Sequence, residues 1–517
     1  MSPTVLLEQL KIAQSYVHEI LLAPVYDIAV QTSVEPLKAL SSRLNNQVFV
    51  KREDEQPVHS FKLRGAFNKL VNLSQPQLDL GVVAASAGNH AQGLALSAKT
   101  LGVTATIVMP ETTPEIKVNA VKGHGAKVVL HGKSFDEANN YALNLAKERE
   151  LSYIHPFDDR DVIVGQGTVA KELLQQVRDL DMVFIPVGGG GLLAGMAVYI
   201  KQLKPEIRVI GVEPEGAACL KAALEAKKPV ELDQVDIFAD GVAVKRIGEQ
   251  TFKLAEQYCD QVITVNSDEI CAAIKDLFDD VRAVAEPAGA LSLAGLKKYV
   301  SEHNLENKRL SCVLSGANLN FDKLRYVAER TELGEKKEAV LAVTIPERQG
   351  AFVEFCRALG GRAITEFNYR FHDKREAQIF VGVKLSNLQY ELPQLVEGLE
   401  AAGYRVENLT DNEIAKLHVR HMVGGKPAEA LEERLYSFEF PEYPGALSKF
   451  LNTLGQKWNI TLFHYRNHGA AFGQVLTAFE ATDSDRERLE RHLEQVGFHW
   501  QDETDNSGFN LFLQSSQ

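Results

Sequence analysis

Short apolar runs alternate with longer segments of helical spacing between about residue 45 and residue 320. Several runs are apolar almost throughout, which is typical of strands that are buried on both faces. The alternation predicts an α/β domain with a mostly parallel sheet, in which ligands bind at the carboxyl ends of the strands. The predicted strands are QVFVKR (47–52), GVVAAS (81–86), TATIVMP (104–110), AKVVLHG (126–132), MVFIPVG (182–188), RVIGVEP (208–214) and LSCVLSG (310–316).

An internal repeat occupies the last third of the chain. AVTIPERQGAFVEFCRALGG, starting at 342, is echoed by SFEFPEYPGALSKFLNTLGQ, starting at 437, and ITEFNYR (364–370) is echoed by ITLFHYR (460–466). This period is too long for a solenoid and fits a duplicated small domain. Each copy has the order strand, helix, strand, strand of a ferredoxin-like unit. The copies are either sensor modules or a structural duplication without a ligand.

A charged stretch, TELGEKKEA (331–339), lies between the two regions and is interpreted as a linker. A chain of 517 residues is too long for one ordinary domain. The predicted organisation is a catalytic domain at 1–330, a linker at 331–338, a first module at 339–411, a connector at 412–433 and a second module at 434–517.

Charge and composition exclude several classes of protein. The formal net charge of −13 argues against general binding to nucleic acid or to anionic membranes. The five cysteines are scattered without a CxxC pair, so neither a disulfide framework nor a zinc site is indicated. No run reaches the roughly 20 apolar residues of a membrane span. We therefore expect a cytoplasmic protein.

Four consecutive glycines, Gly188 to Gly191, follow one predicted strand and precede a helical segment. Backbone N–H groups at a helix N-terminus form an anion site, and glycine allows close approach of a phosphate. The motif lacks the ending of a Walker loop and the spacing of a dinucleotide site. It therefore predicts a single phosphate, with a flexible hinge as the alternative.

Further motifs lie at the ends of other predicted strands. SAGNHAQG (86–93) offers Ser86, backbone amides and Asn89 to an anion or a phenolate oxygen, or it is a plain helix cap. In SGAN (315–318), Ser315 is either a cap or a partner of a ring nitrogen. VAEPAGA (284–290) places Glu286 before a proline turn.

Lys62, in HSFKLRGA (59–66), is either a solvated cation or the covalent partner of a ligand. The ligand indicated by the other motifs carries a single phosphate, an anionic oxygen and a ring nitrogen. Pyridoxal phosphate has these groups and is usually anchored as a lysine Schiff base. Arg64 either steers a phosphate or caps a solvated helix face.

Through these motifs the chain resembles the biosynthetic threonine deaminases (threonine ammonia-lyases), which are fold-type II pyridoxal-phosphate enzymes of the tryptophan synthase β-subunit group. SFKLRGA, SAGNHAQG, GGGGL, EPAGA and SGAN occur in this order. The two C-terminal modules resemble ACT-type amino-acid sensors. The resemblance implies an α/β fold-type II catalytic domain with parallel sheets, followed by two α+β ferredoxin-like regulatory modules.

The resemblance also implies roles for individual residues. His90, in the substrate group, is equally explained as a satisfied histidine at a helix start. The implied cofactor-binding residues are Lys62 as the Schiff-base lysine, Phe61 beside it, Asn89 at the phenolic oxygen, Gly188, Gly189, Gly190, Gly191 and Leu192 at the phosphate, and Ser315 at the pyridine nitrogen. The implied binding residues for the substrate carboxylate are Ser86, Ala87, Gly88, Asn89 and His90.

A divalent cation is not predicted. Related racemases and eukaryotic-type dehydratases bind one through a Glu, a backbone carbonyl and an Asp two residues later. Here Glu213 and Ala217 match the first two ligands, but Cys219 stands at the Asp position.

The implied reaction is the α,β-elimination and deamination of L-threonine to 2-oxobutanoate and ammonia, with L-serine as a poorer substrate that yields pyruvate. Lys62 is predicted to act as the general base once its amine is released. Its pKa should be lowered by burial and by nearby positive charge, so that the amine is neutral near pH 7.

The resemblance further implies the first step of isoleucine biosynthesis, inhibition by isoleucine, activation by valine, and a homotetramer. The effector pockets are predicted near Tyr369, Leu447 and Tyr465. Packing in a core with a bonded hydroxyl is the alternative for the two tyrosines.

Two other functions stay open. The first half of the chain also suits a serine or threonine racemase or a β-replacement synthase. The chain could instead be a non-catalytic amino-acid sensor on a decayed enzyme scaffold, although the intact set of Lys62, Asn89, four glycines and Ser315 argues against this.

Overall fold

The computed structural model describes residues 3–319, 321–334, 338–371, 376–412, 415, 432–441, 446–454, 457–466, 472–506 and 513. The chain divides into two compact units, Met1–Gly334 and Glu335–Gln517. Among the described helices, none combines the length and the apolar character needed to cross a membrane.

Two sheets form the framework of the N-terminal unit. In the six-stranded sheet all neighbours are parallel except the first pair, and the four-stranded sheet is parallel throughout. The larger sheet has the spatial order β1 (Val34–Pro36), β2 (Gln47–Arg52), β10 (Arg309–Leu314), β7 (Met182–Pro186), β8 (Arg208–Pro214) and β9 (Gln261–Val265). The smaller sheet has the order β5 (Lys127–Leu130), β4 (Ala105–Met109), β3 (Val82–Ala85) and β6 (Ser152–Tyr153).

The helices of this unit lie between and beside the strands. They are α1 (Pro3–Leu22), α2 (Lys38–Leu44), α3 (Lys62–Val71), α4 (Gln75–Leu80), α5 (Asn89–Leu101), α6 (Glu115–Gly123), α7 (Phe135–Glu148), α8 (Arg160–Gln176), α9 (Gly191–Leu203), α10 (Cys219–Ala226), α11 (Glu249–Tyr258), α12 (Ser267–Val281), α13 (Pro287–His303) and α14 (Phe321–Gly334).

The seven predicted strands are all present, and the prediction of parallel sheets is confirmed. Strand β7 is buried at every position, as its uniformly apolar sequence requires in a parallel sheet covered on both faces. Strands β1, β6 and β9 were not predicted. The first two have three and two residues, which is too short for a periodic pattern.

The C-terminal unit contains one sheet of antiparallel strands with helices from both repeats. Its spatial order is β14 (Arg405–Asn408), β11 (Glu338–Pro346), β13 (Glu376–Lys384), β12 (Ile364–Arg370), β16 (Ile460–Arg466), β17 (Phe472–Glu480), β15 (Glu433–Pro441) and β18 (His499–Asp502). Its helices are α15 (Ala351–Ala358), α16 (Leu388–Ala401), α17 (Ala446–Leu454) and α18 (Arg486–Val496).

Each repeat in this unit has the complete order β-α-β-β-α-β, which confirms the ferredoxin-like prediction. Strand β12 of the first module pairs antiparallel with β16 of the second. The two modules therefore share one continuous sheet.

The predicted linker at 331–338 is shorter in the structure. Helix α14 continues to Gly334, and strand β11 begins at Glu338. Thr331 is buried, and its hydroxyl donates to the carbonyl of Val327 at 2.6 Å, so a residue assigned to the linker is anchored in a helix. Residues 335–337 and most of the predicted connector at 412–433 lie outside the described residues.

Candidate active site

Lys62 opens helix α3 at the carboxyl edge of both sheets of the N-terminal unit, and although part of the residue is exposed, its amine is buried. Its Nζ donates to the carbonyl of Pro156 at 3.0 Å. Burial disfavours the charged ammonium and lowers the pKa of Lys62 to about 8. The predicted lowering of the Lys62 pKa is confirmed, but burial is its only cause. With a pKa of about 8, about one-tenth of the amine is neutral at pH 7.

The four glycines connect β7 to α9, as predicted. Helix α9 makes its first backbone hydrogen bond from Ala194 N–H to the carbonyl of Gly190, so the preceding N–H groups are available as donors. Gly190 has a left-handed φ of 88°. A Cβ on Gly189 would overlap the ring of Phe157. The loop therefore requires glycine on steric grounds and ends in a helix N-terminus suited to a phosphate.

Asn89, at the start of α5, is hydrogen-bonded on both sides of its amide. Its Nδ2 donates to Oε1 of Glu286 at 2.6 Å, and its Oδ1 accepts from Nδ2 of Asn318 at 2.7 Å. Burial raises the pKa of Glu286 to about 7. A Cβ on Gly316 would lie 2.5 Å from that Oε1, so this position too requires glycine.

Ser315 follows strand β10 and is buried. Its hydroxyl donates to the carbonyl of Ala288 at 3.2 Å, which leaves its lone pairs for another partner. Its own carbonyl accepts from the backbone N–H of Phe61 at 3.2 Å. Ser315 is therefore fixed directly beside the segment that carries Lys62.

Contacts link these residues into a closed ring. Lys62 contacts Pro156, whose neighbour Phe157 packs against two of the glycines. From Gly188 the next contact is Val242, and the adjacent Gly241 lies near Glu286 and Asn89. Glu286 accepts a hydrogen bond from Asn89 Nδ2, and Gly316 lies beside both side chains. Gly316 follows Ser315, whose carbonyl accepts from the N–H of Phe61, the neighbour of Lys62.

The groups around this ring fit pyridoxal phosphate. They comprise an amine of lowered pKa, a glycine cradle at a helix N-terminus, an amide that keeps one N–H, and a serine hydroxyl. A side-chain amide has two N–H donors, and Asn89 uses one for Glu286. The sequence motifs that were predicted to meet at one ligand are thus brought together.

The loop from Ser86 to His90 lies between β3 and α5, on the same edge. Ser86 to Asn89 are partly exposed, and the Ser86 hydroxyl accepts from Gly88 N–H at 3.3 Å. His90 is buried, and its Nε2 lies 3.0 Å from the carbonyl of Ile154. Burial lowers the pKa of His90 to about 3, so this ring is neutral and bonded, as the structural alternative for it predicts.

Arg64 takes neither of the two roles considered for it. It is completely buried, and its guanidinium is paired with the carboxylates of Glu53 at 2.8 Å and Glu172 at 2.5 Å. Lys51 is also buried and pairs with Glu172 at 2.6 Å. The charged run that precedes Lys62 therefore contributes to a buried ion cluster rather than to the surface.

Glu213 already has partners for both carboxylate oxygens. They accept from the backbone N–H groups of Leu220 at 2.7 Å and Lys221 at 2.9 Å, at the start of α10. The thiol of Cys219 donates to the carbonyl of Gly188. In the described part of the chain, no group of three or more His, Cys, Asp or Glu side chains is arranged to hold a metal ion.

The residues predicted to bind effectors lie in or against the core of the C-terminal unit. Tyr369 is buried, its ring packs edge-on against Phe352, and its hydroxyl donates to Glu347 at 2.6 Å. Burial and Glu347 raise its pKa above the ordinary value. Tyr465 is buried and Leu447 partly buried against the same core. The contacts of Tyr369 are those of a core residue with a bonded hydroxyl, which was the alternative to an effector site.

The site also contains residues that the motifs did not identify. Asp158 accepts from the backbone N–H groups of Glu249, Gln250 and Thr251 at the start of α11. Thr251 in turn donates its hydroxyl to the carbonyl of Gly189 at 2.8 Å. The HPFDD segment (155–159) was the available signal, because it combines a histidine, a proline and two carboxylates just beyond a short strand.

Comparisons with known proteins agree with this geometry. The profile of the family described as "Pyridoxal-phosphate dependent enzyme" matches residues 25–316. The profile described as "C-terminal regulatory domain of Threonine dehydratase" matches twice, at 329–419 and 424–513.

Two relatives match along nearly the whole chain, and a solved structure matches the larger part of it. The biosynthetic L-threonine dehydratase of Escherichia coli (strain K12) is 58% identical over 96% of this chain and 97% of that protein. The mitochondrial threonine dehydratase of Saccharomyces cerevisiae is 47% identical over 96% of this chain and 89% of that protein. The solved structure of the processed form of threonine deaminase isoform 2 from Solanum lycopersicum is 48% identical, with a TM-score of 0.61, over 62% of this chain and 93% of that one.

Proposed function

Since the chain belongs to the threonine dehydratase family of pyridoxal-phosphate-dependent lyases, we propose that it converts L-threonine to 2-oxobutanoate and ammonia with Lys62 as its catalytic residue. The observation that carries the assignment is the closed ring of contacts. The ring brings the segment that carries Lys62 together with the glycine cradle, Asn89 and Ser315, which supports the assignment.

Lys62 is both the covalent anchor and the general base in this proposal. Its lowered pKa of about 8 makes the neutral, nucleophilic amine accessible near physiological pH. Bound pyridoxal phosphate supplies an electron sink that acidifies the α-proton of the substrate. The carbonyl of Pro156, 3.0 Å from Nζ, is a hydrogen-bond acceptor for the Lys62 amine when the amine is not bound to the cofactor.

The remaining site residues orient the cofactor. Gly188 to Gly191 and Leu192 hold the phosphate through backbone N–H groups at the start of α9. Asn89 donates its remaining N–H to the phenolic oxygen, and Ser315 faces the pyridine nitrogen, with Phe61 beside Lys62. A serine at this nitrogen does not enforce a positive charge on the ring, which favours β-elimination over transamination.

The substrate carboxylate is assigned to the loop from Ser86 to His90. This loop opens helix α5, whose first backbone hydrogen bond runs from Gln92 N–H to the carbonyl of Gly88, so the preceding N–H groups suit an anion. His90 contributes through its backbone, because its ring is bonded to Ile154. L-serine lacks one methyl group, and a missing methylene is worth only about 1–3 kcal/mol in a pocket, so it is expected to be a poorer substrate that yields pyruvate.

Regulation is assigned to the two C-terminal modules, at 339–411 and 434–517. Isoleucine is the proposed inhibitor and valine the proposed activator, bound near Tyr369, Leu447 and Tyr465. The two matches to the regulatory domain of threonine dehydratase support this assignment. A cytoplasmic homotetramer that catalyses the first step of isoleucine biosynthesis completes the proposal.

The test measures 2-oxobutanoate release from L-threonine by the purified full chain with pyridoxal phosphate, with and without isoleucine. We expect turnover that isoleucine suppresses. Lys62→Ala should lose turnover and the borohydride-sensitive visible absorbance. Lys147→Ala, which removes an exposed lysine from α7, is the matched control and should retain both.

Two outcomes would overturn the proposal. Full turnover by Lys62→Ala would exclude this lysine as the catalytic group. Formation of an inverted or β-substituted amino acid in place of the 2-oxo acid would assign the site to a racemase or a β-replacement synthase. Turnover that does not respond to isoleucine or valine would contradict only the proposed regulation and leave the proposed reaction in place.

A further inference from the structure

Asn318, the last residue of the SGAN motif, has no role in the proposed reaction, yet both of its amide protons are committed. Its Nδ2 donates to the carbonyl of Val58 at 2.8 Å and to Oδ1 of Asn89 at 2.7 Å. A primary amide has two N–H donors on Nδ2, so both acceptors are served by the same nitrogen. The orientation of the Asn318 amide is therefore fixed by two bonds.

That orientation determines the orientation of Asn89. With its Oδ1 facing Asn318, its Nδ2 must face Glu286, to which it donates at 2.6 Å. Rotation of the Asn89 amide by 180° would bring two N–H donors together on one side and two oxygen acceptors together on the other. Both hydrogen bonds would be lost in a partly buried site, where unpaired polar groups are destabilising.

We propose that Asn318 and Glu286 are positioning residues, which hold the Asn89 amide so that its second N–H is presented to the phenolic oxygen of pyridoxal phosphate. The inference rests on the proposed role of Asn89. The donor then depends on a chain of three side chains, two of which do not need to touch the cofactor.

The surroundings of Glu286 support this role. Glu286 is only 4% exposed, and a Cβ on Gly316 would lie 2.5 Å from its Oε1, so the glycine leaves room for the carboxyl. Burial raises its pKa to about 7, with Asp240 acting in the same direction, while Lys117, Lys323 and the Asn89 hydrogen bond oppose the shift. A carboxyl oxygen accepts a hydrogen bond in either protonation state, so the clamp does not require a charge on Glu286.

Substitution of Asn318 by Asp tests the clamp with little change in shape. Asp offers no N–H donor to Val58 or Asn89, so the Asn89 amide is expected to reorient. Losing one hydrogen bond to a charged oxygen corresponds to about 10- to 150-fold weaker cofactor binding. Asn318→Asp should show this loss together with a shifted visible band of the lysine-bound cofactor and a shifted pH midpoint of that band.

Asn46 provides a matched control elsewhere in the same unit. It is also a buried asparagine whose Nδ2 donates to two carbonyls, those of Leu44 at 2.6 Å and Leu305 at 2.8 Å. Asn46→Asp should lower the melting temperature and leave the cofactor spectrum and affinity unchanged. An equal spectral shift in Asn46→Asp would mean that general destabilisation, not the clamp, causes the effect.

Glu286 gives an independent test if Asn318→Asp does not fold. Glu286→Gln keeps an oxygen acceptor and should retain the spectrum and affinity, whereas Glu286→Ala should shift both in the same direction as Asn318→Asp. Identical spectra for Glu286→Ala and the unmodified protein would overturn the proposal.

Asn89→Ala separates this inference from the proposed function. If Asn89→Ala leaves the spectrum unchanged, the role of Asn89 itself is wrong. If Asn89→Ala shifts the spectrum and either Asn318→Asp or Glu286→Ala leaves it unchanged, only the clamp is wrong. If the clamp exists, adding Asn318→Asp to Asn89→Ala should change cofactor affinity no further.

Discussion

Replacing Arg64 by Met should destabilise the N-terminal unit without removing its cofactor site. Arg64 donates to Glu53 at 2.8 Å and to Glu172 at 2.5 Å, and Lys51 contributes a second cation at 2.6 Å from Glu172. All four side chains are at most 1% exposed, and their formal charges sum to zero. The substitution leaves one carboxylate without its cation in a place that water does not reach.

The expected size of the effect follows from this imbalance. Removing one partner from a buried ion pair lowers the free energy of unfolding by about 3–5 kcal/mol. The unit spans Met1–Gly334, and an unfolding entropy of about 2.1 cal/mol/K per residue gives about 0.7 kcal/mol/K for it. Arg64→Met should therefore lower the melting temperature of this unit by about 4–7 °C.

Calorimetry of the cofactor-saturated full chain measures this shift, and a second substitution tests its cause. Lys51 remains paired with Glu172 after Arg64 is lost, so Glu53 is the residue left unpaired. Arg64→Met with Glu53→Gln restores neutrality and should recover most of the lost stability. A single variant that melts at the parent temperature, or a double variant no more stable than the single one, would refute the reasoning. Unchanged cofactor affinity in the double variant would show that Arg64 stabilises the fold and does not bind the phosphate of the cofactor.

Three further predictions concern the site itself. The rate at which pyridoxal phosphate loads onto the cofactor-free protein should rise with pH to a midpoint near 8, because only the neutral Lys62 amine attacks; a stopped-flow profile still rising above pH 10 would contradict this. Gly189→Ala should weaken cofactor binding about tenfold or more by equilibrium titration, because the new Cβ overlaps Phe157, whereas Gly123→Ala has open space and should not. The pKa of Glu286 is raised from 4.5 to about 7, so the parent protein loses stability as this carboxyl ionises. In denaturation experiments, the free energy of unfolding of Glu286→Gln relative to the parent should therefore grow by about 3 kcal/mol between pH 4.5 and pH 7.

The strands were predictable because burial on both faces leaves a direct record in the sequence. The runs at Gln47–Arg52 and Arg208–Pro214 have the same ends in the structure as in the prediction. The linker was assigned too widely, because the charged, glycine-containing stretch at 331–339 suggested an exposed segment, although the glutamate and leucine at its start also suit a helix. Composition alone does not distinguish a linker from the end of a charged helix.

Site residues on strand ends were predictable for a related reason, whereas their orienting partners were not. The glycines, Asn89 and Ser315 each follow an apolar strand, so topology brings them to one edge. The bonds that orient Asn89 reach Glu286 and Asn318 across 197 and 229 residues of sequence. No local pattern specifies such pairs, because they depend on how two sheets pack.

Lys62 and Arg64 show how the fold separates two cations that the sequence places side by side. Two residues on a helix differ by about 200° in direction, so the side chains leave opposite faces of α3. Arg64 meets two carboxylates, which raise its pKa above the ordinary value although burial opposes the charge. Lys62 is desolvated and its Nζ bonds a neutral carbonyl, so burial lowers its pKa to about 8. A carboxylate beside Lys62 would instead stabilise the ammonium and withdraw the nucleophile. Arg64 pairs with Glu53 and Glu172 on the opposite face of α3. Those carboxylates therefore do not stabilise the Lys62 ammonium, although the surrounding sequence is charged.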